Sequence, residues 1–315
     1  MTQKKKYKII VNPICGRGNG ARIIPQLESH LKSHGVDFDL ERTERPLHAT
    51  ELAQQAAKDG YGIVVGVGGD GTANEVVNGL MHAKQAGADQ TVMGVIGAGR
   101  GNDFAYAMGM PDDLADACRV LATGKHNKID VGFVKGGLFP NGRYFDNSVG
   151  IGFDAVVSFE AVKMTRLSGF PSYLVAALKT IFLYFKAPQV EIAYNGQVMT
   201  MRALMVSIMN GQRQGGIFFM SPEARNDDGL FDLCIAEEVS RGRIFTLIPH
   251  FFKGSQFGQS EIKFGQTDKL VVTAVTGVLP AHADGETLCT NGTQLAIEIL
   301  PNQLDVICPA DKIGT

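Results

Sequence analysis

The run Gly66-Val67-Gly68-Gly69-Asp70-Gly71-Thr72 sets one carboxylate and one hydroxyl among four glycines. It follows an apolar, strand-like run at 63–67 and precedes a helix-forming stretch. A strand that ends this way offers backbone amides and the positive end of a helix dipole, and phosphate is the anion such a turn holds. We read the glycines as turning the backbone through positive φ. Thr72 is read as the helix cap, with Glu75 completing a capping box. No Gly-Lys-Ser/Thr follows, so the run is not a P-loop, and it does not match the dinucleotide fingerprint. A bare strand-to-helix turn would give Asp70 no task.

Other carboxylates stand beside glycines further on. They are Asp103 after Gly99-Arg100-Gly101-Asn102, then Asp130, Asp227-Asp228-Gly229-Leu230-Phe231-Asp232, and Asp284-Gly285-Glu286. Such groups suit general-base work or magnesium, which takes few carboxylates and keeps several waters. Each has a plainer reading. Asp284-Gly285 is a good turn dipeptide, Asp103 a helix cap, Asp130 a strand-end charge, and 227–232 a hydrated acidic turn.

These loops must be positioned by regular elements. Strand-like runs at 7–11, 36–40, 63–67 and 91–96 alternate with helical spacing at 23–31, 47–58, 73–84 and 112–122. That alternation predicts a parallel sheet with right-handed crossovers and its ligand at the carboxyl ends of the strands. From about residue 129 the pattern becomes short strands with glycine pairs. Asn195-Gly196 marks a hairpin between 190–194 and 197–201, and further strands are expected at 203–209, 231–236, 269–275 and 294–299. The predicted architecture is an α/β N-terminal domain (1–130) and a mainly β, sandwich-like second domain (131–302). A helical insert is expected near 154–186, residues 303–315 could return to the first domain, and the active site is expected between the domains.

Composition narrows the function classes. The 315 residues are 44% hydrophobic and 20% charged, which fits a folded protein. A formal net charge of -2 gives no general affinity for polyanions, and no nucleic-acid partner is expected. Five scattered cysteines without CxxC spacing indicate neither a disulfide framework nor zinc and point to reducing cytosol. No signal peptide is read at the start. The apolar stretch 170–185 is interrupted by Pro171 and Lys179 and is too short to span a bilayer. With nearby basic residues it could lie at a membrane interface or pack as a helix. Residues 218–220 and 250–252 could line an acyl cleft, with core packing the default for such aromatic clusters.

The ordered motifs resemble the catalytic domain of the diacylglycerol kinase family, which includes bacterial soluble lipid kinases and the sphingosine kinases. The resemblance is carried by Gly68-Gly69-Asp70-Gly71-Thr72, Asn74-Glu75-Val76 and Asn78-Gly79-Leu80. Val11-Asn12-Pro13, Thr43 with His48-Ala49, and Gly101-Asn102-Asp103 add to it. In the second half, Gly152-Phe153-Asp154-Ala155, Asn210-Gly211, Asp228-Gly229-Leu230 and Ala283-Asp284-Gly285-Glu286 continue the series. NAD kinases and phosphofructokinases share the Gly-Gly-Asp-Gly element, and the first domain is expected to resemble theirs.

The resemblance implies ATP lying across Asn12, Thr43, Gly68, Gly69, Gly71 and Thr72, with Glu75, Gly99, Arg100 and Asn102 completing its cradle. It implies Mg2+ on Asp70, backed by Asp103 and Asp130 through waters. Asp284 would be the general base, and Glu286 would help hold metal or nucleotide. A structural Mg2+ is implied at Asp227, Leu230 and Asp232. The expected reaction converts diacylglycerol to phosphatidic acid, in phospholipid biosynthesis. The protein would be cytoplasmic, with transient contact at the inner membrane face and room for a homodimer. In the third loop the family carries Pro-x-Gly-Thr-x-Asn-Asp, whereas this chain has Gly97-Ala98-Gly99-Arg100-Gly101-Asn102-Asp103. Arg100 thus replaces a phosphate-facing hydroxyl, offering either a bidentate phosphate contact or a weaker site. Two alternatives follow: a kinase of a soluble alcohol such as NAD, or a nucleotide-binding regulator without turnover.

Overall fold

The computed structural model describes residues 5–88, 90–163, 175–176, 179–180 and 187–310. The chain divides into two compact units, Met1–Ile129 with Asn302–Thr315, and Asp130–Pro301.

The first unit is built on parallel strands β1 (Tyr7–Val11), β2 (Phe38–Arg42), β3 (Ile63–Gly68) and β4 (Val92–Gly97). They are ordered β2-β1-β3-β4. Every residue of β3 is buried, as expected of a central parallel strand covered on both faces. The C-terminal end of the chain's last strand adds to this sheet, with Val306 paired to Met93. Five helices serve it: α1 (Cys15–Ser33), α2 (His48–Lys58), α3 (Asp70–Gln85), α4 (Asp103–Ala107) and α5 (Leu114–Thr123). In α1 the backbone leaves the helical region at Gly16, Arg17 and Gly18, all at positive φ, so the regular helix starts after them.

The second unit is an antiparallel β-sandwich. Its strands are β5 (Lys125–Gly136, which begins in the first unit), β6 (Phe139–Phe145), β7 (Ser148–Gly152), β8 (Gln189–Tyr194), β9 (Gln197–Met209), β10 (Phe231–Glu237), β11 (Ile262–Thr267), β12 (Lys269–Thr276), β13 (Leu279–Ala283), β14 (Glu286–Gly292) and β15 (Gln294–Cys308). One sheet runs β14-β13-β7-β9-β10-β11. Strand β9 also pairs with β8, which leads through β12 to β15. Apolar residues of both sheets interdigitate, and Phe145 stacks on Phe231 with ring centroids 5.5 Å apart. Helices α6 (Phe153–Val162) and α7 (Arg241–Lys253) also belong to the unit.

The Asn195-Gly196 hairpin forms as predicted, with both residues at positive φ and Tyr194 paired to Gln197. The expected strands 197–201 and 203–209 are one strand, β9. Its first half is half-exposed and its second half wholly buried, which broke the period in the sequence. Of the expected helical insert, α6 is described. The rest of it, and the amphipathic stretch 170–185, lie almost wholly outside the described residues. Phe251 and Met220 are buried in the cluster under α7, and Phe218 stacks on Phe252, so these aromatics pack the core. Among the described residues, no helix is long and apolar enough to cross a membrane.

Candidate functional site

In the first unit the carboxyl ends of three strands bring three loops together. Val11 pairs with Val67 and Gly68 with Gly97, so β1, β3 and β4 end level. The loops that follow are bonded to one another. Asn12 N–H donates to the Val67 carbonyl (3.0 Å) and Ala98 N–H to the Gly68 carbonyl (2.7 Å). The Asn12 side-chain amide donates to Thr72 Oγ1 at 3.0 Å, joining the first loop to the second. Phe104 N–H donates to Asp70 Oδ1 at 3.2 Å, joining the second to the third. Thr43 follows β2 and is held by its N–H on the Val11 carbonyl (2.9 Å).

The glycines of this site serve close approach rather than positive φ. None of Gly66, Gly68, Gly69 or Gly71 has a positive φ, contrary to the sequence expectation. A Cβ on Gly99 would come under 3.0 Å from Gly69 Cα, and one on Gly68 equally close to Thr72 Oγ1. The two glycine loops therefore touch backbone to backbone. Positive φ occurs instead at Asn102, which precedes α4 and accepts Gly99 N–H on Oδ1 at 2.9 Å. Asp103 opens α4 and is buried. Arg100 is exposed, and its guanidinium makes no hydrogen bond or ion pair among the described residues.

One expectation is corrected here. Helix α3 begins at Asp70 with Gly69 as its cap, so the Thr72–Glu75 capping box does not form. Glu75 caps a different helix. Its two carboxylate oxygens accept Leu47 N–H and Ala49 N–H, each at 3.0 Å, at the start of α2. Leu47 holds a positive φ there, and Thr50 Oγ1 bonds the Glu75 carbonyl. Both Glu75 carboxylate oxygens thus hold the start of α2. Glu75→Ala is expected to lower unfolding free energy by about 1–2 kcal/mol, the usual worth of an N-cap, as read from a urea titration.

The second unit carries the remaining carboxylates. Asp284 lies after β13 with φ 48° and is buried. Its carboxylate accepts three backbone N–H groups, from Asp146 (2.9 Å), Asn147 (3.1 Å) and Ser148 (2.8 Å). Glu286 is exposed at the start of β14. Asp130 is fully buried in this unit, where its carboxylate accepts Gly229 N–H at 2.6 Å and its carbonyl accepts the Asn210 side chain. Asp70 and Asp103 thus share one unit while Asp130 belongs to the other.

The residues implied to hold a structural Mg2+ each meet a neighbour in the chain. Asp227 pairs with Arg225 (3.2 Å). Asp232 meets Gln266, and Leu230 donates its N–H to Asp228. Burial, then the charge of Asp228, pushes the Asp232 carboxyl up to about 6. Among the described residues no group of three or more His, Cys, Asp or Glu side chains is arranged to hold a metal.

Sequence reasoning placed the glycines after Asn12 in a nucleotide loop without giving Gly16 and Gly20 a task. A Cβ on either would strike a backbone oxygen, of Ala98 and Asn12 respectively. The glycine run after Asn12 was the available signal. It also missed that Asp284 is a backbone clamp, for which no sequence signal exists.

The comparisons agree along the whole chain. Residues 6–134 match the model of the diacylglycerol kinase catalytic domain, and residues 147–308 match that of the YegS C-terminal NAD kinase beta sandwich-like domain. A protein of Staphylococcus aureus strain bovine RF122 / ET3-1 named diacylglycerol kinase is 28% identical over 314 residues, covering 99% of this chain and 95% of its own. A crystal structure of a diacylglycerol kinase from Bacillus anthracis str. Sterne superposes with TM-score 0.72 at 22% identity, covering 99% of this chain and all of its own. An NAD kinase from Archaeoglobus fulgidus, solved in complex with ATP, shares the fold at TM-score 0.51 and 14% identity, over 96% of this chain and 93% of its own.

Proposed function

The chain belongs to the diacylglycerol kinase catalytic-domain family, and from that premise we propose that it transfers the γ-phosphoryl group of ATP to a lipid hydroxyl, converting diacylglycerol to phosphatidic acid. The observation that carries this reading is the backbone contact of the Gly69 and Gly99 loops at the carboxyl ends of β3 and β4, with Asp70 tied to α4 between them. Phosphoryl transfer asks a protein for positioning and charge neutralisation, and three loops locked to one another supply positioning.

In this reading Asn12, Thr43, Gly68, Gly69, Gly71, Thr72, Gly99 and Asn102 form the cradle, and the unpartnered Arg100 guanidinium takes a phosphate. Asp70 is the half-buried carboxylate at the loop, and Asp103 lies buried beside it at the head of α4. A sparse, all-oxygen donor set of this kind fits magnesium. When bound, that ion neutralises charge on the transferred phosphoryl. Asp284 takes the proton of the attacking lipid hydroxyl, and Glu286 helps hold metal or nucleotide. The protein meets its lipid transiently at the cytoplasmic face of a membrane.

Assays with ATP and Mg2+ against diacylglycerol, monoacylglycerol and a long-chain base in mixed micelles, and against free NAD, test the acceptor. Phosphorylation of diacylglycerol is expected. Turnover of NAD without any lipid product would replace the lipid acceptor by a soluble one.

A further inference from the structure

Beneath the Asp284 turn the antiparallel sheet carries a row of polar residues in register. His282 of β13 pairs with Gly150 of β7, and Gly150 with Ser207 of β9. Registered residues of neighbouring antiparallel strands point to the same face, so these positions share one surface. Gly150 leaves a gap in that surface, and two side chains fill it. A Cβ on Gly150 would come under 3.0 Å from both Asp154 Oδ2 and His282 Nε2.

The two groups are held from outside the gap. Ser207 Oγ donates to Asp154 Oδ2 at 3.0 Å, and Ala155 N–H to Asp154 Oδ1 at 2.8 Å. His282 is buried, and its Nδ1 accepts Gly285 N–H at 3.3 Å. An accepting Nδ1 leaves the proton of the neutral ring on Nε2, the nitrogen that lies over Gly150. Burial favours that neutral ring and lowers the His282 imidazole to about 4. Burial also raises the Asp154 carboxyl to about 7.

Gly285 immediately follows Asp284, and both residues hold positive φ. The bond to His282 therefore sets the turn from which the Asp284 carboxylate is aimed. We propose that His282 is a positioning residue. It fills the space over Gly150 beside Asp154, it grips the N–H of Gly285, and so it fixes the direction of the Asp284 carboxylate. The proposal rests on the reading of Asp284 as the base of the kinase reaction.

Two side chains separate the ring's two nitrogens, because Asn places an acceptor where Nδ1 stands and Gln places its amide where Nε2 stands. Nitrogen-15 NMR of the wild-type full chain is expected to show a neutral His282 ring protonated on Nε2 at about pH 6–8. Hydrogen exchange is expected to show the Gly285 amide protected in wild type and H282N but open in H282Q and H282L. In lipid phosphorylation, kcat is expected to fall about 10- to 100-fold in H282L, with KM for ATP unchanged and with recovery in H282N, the scale of a misaimed catalytic group. A proton on Nδ1, or an equally protected Gly285 amide in H282L, would overturn the proposal. If H282L does not fold, the wild-type tautomer and the H282N and H282Q exchange still decide it. A wild-type chain that phosphorylates no lipid sinks the kinase reading instead, while the tautomer and exchange are read without substrate.

Discussion

Asp284→Asn is expected to cut kcat for lipid phosphorylation by about 10²–10⁴-fold, the usual worth of a positioned general base. It is also expected to lower stability by about 2–4 kcal/mol, since hydrogen bonds to a charged group are worth about 1.5–3 kcal/mol each. Both effects follow from the same carboxylate. Its two oxygens accept N–H groups of three successive residues, 146 to 148. An asparagine amide keeps one acceptor and turns its NH2 toward a backbone donor, so at least one of those N–H groups loses its partner. The positive φ at this position is no obstacle, because Asn tolerates it well. Stability is read from urea titration. The rate is read well below the variant's melting midpoint, where the chain is folded. A destabilised variant that phosphorylates lipid at the wild-type rate would reduce Asp284 to a clamp for the strand that follows.

Gly99→Ala is expected to weaken ATP binding by about tenfold or more, equivalent to about 1.4 kcal/mol. It should also cost about 1–3 kcal/mol of stability through overpacking. The new methyl would stand within 3.0 Å of Gly69 Cα and at 3.0 Å from Gly69 N, neither of which is the end of a flexible side chain. Relief requires the two loops to part, which also strains the Phe104 N–H bond to Asp70. Titration calorimetry with ATP measures the affinity, with Arg100→Ala beside it. Arg100 makes no bond within the described chain, so its removal should weaken ATP binding without loss of stability. Unchanged affinity in Gly99→Ala would remove the loop contact from the nucleotide site.

The elements of the first unit were legible because they are simple. Residues 7–11 form a strand with those bounds, 63–67 gains one residue at its end, and 91–96 shifts by one residue at both ends. Buried apolar runs bounded by glycine or Asn-Pro carry their own boundaries. The motif loops were legible by residue type, but the task of each residue was not. Glu75 has the spacing of a capping box, yet helix α2, 26 residues away in sequence, claims both its oxygens. The glycines at 66–71 suggested positive φ, whereas Gly69 is needed for backbone contact with Gly99, 30 residues later, and Gly68 for room beside Thr72, which spacing does not encode. Strands β13 and β14 went unread because register shifts interrupt their pairing, so no period-two pattern survives. Helix α7 was hidden by Pro249 and by an aromatic run that read as a core cluster, with an acyl cleft as the alternative. His282 gave no signal, because its role arises from cross-strand register with Gly150.

The most direct test of the central claim follows the phosphoryl group itself. The full chain is supplied with γ-labelled ATP, Mg2+ and diacylglycerol in mixed micelles, beside an Asp70→Asn variant. Label is expected in phosphatidic acid, with one ADP formed for each lipid phosphate, and neither product above background in the variant. ADP without labelled lipid, or tight ATP binding with no turnover on any alcohol, would contradict it.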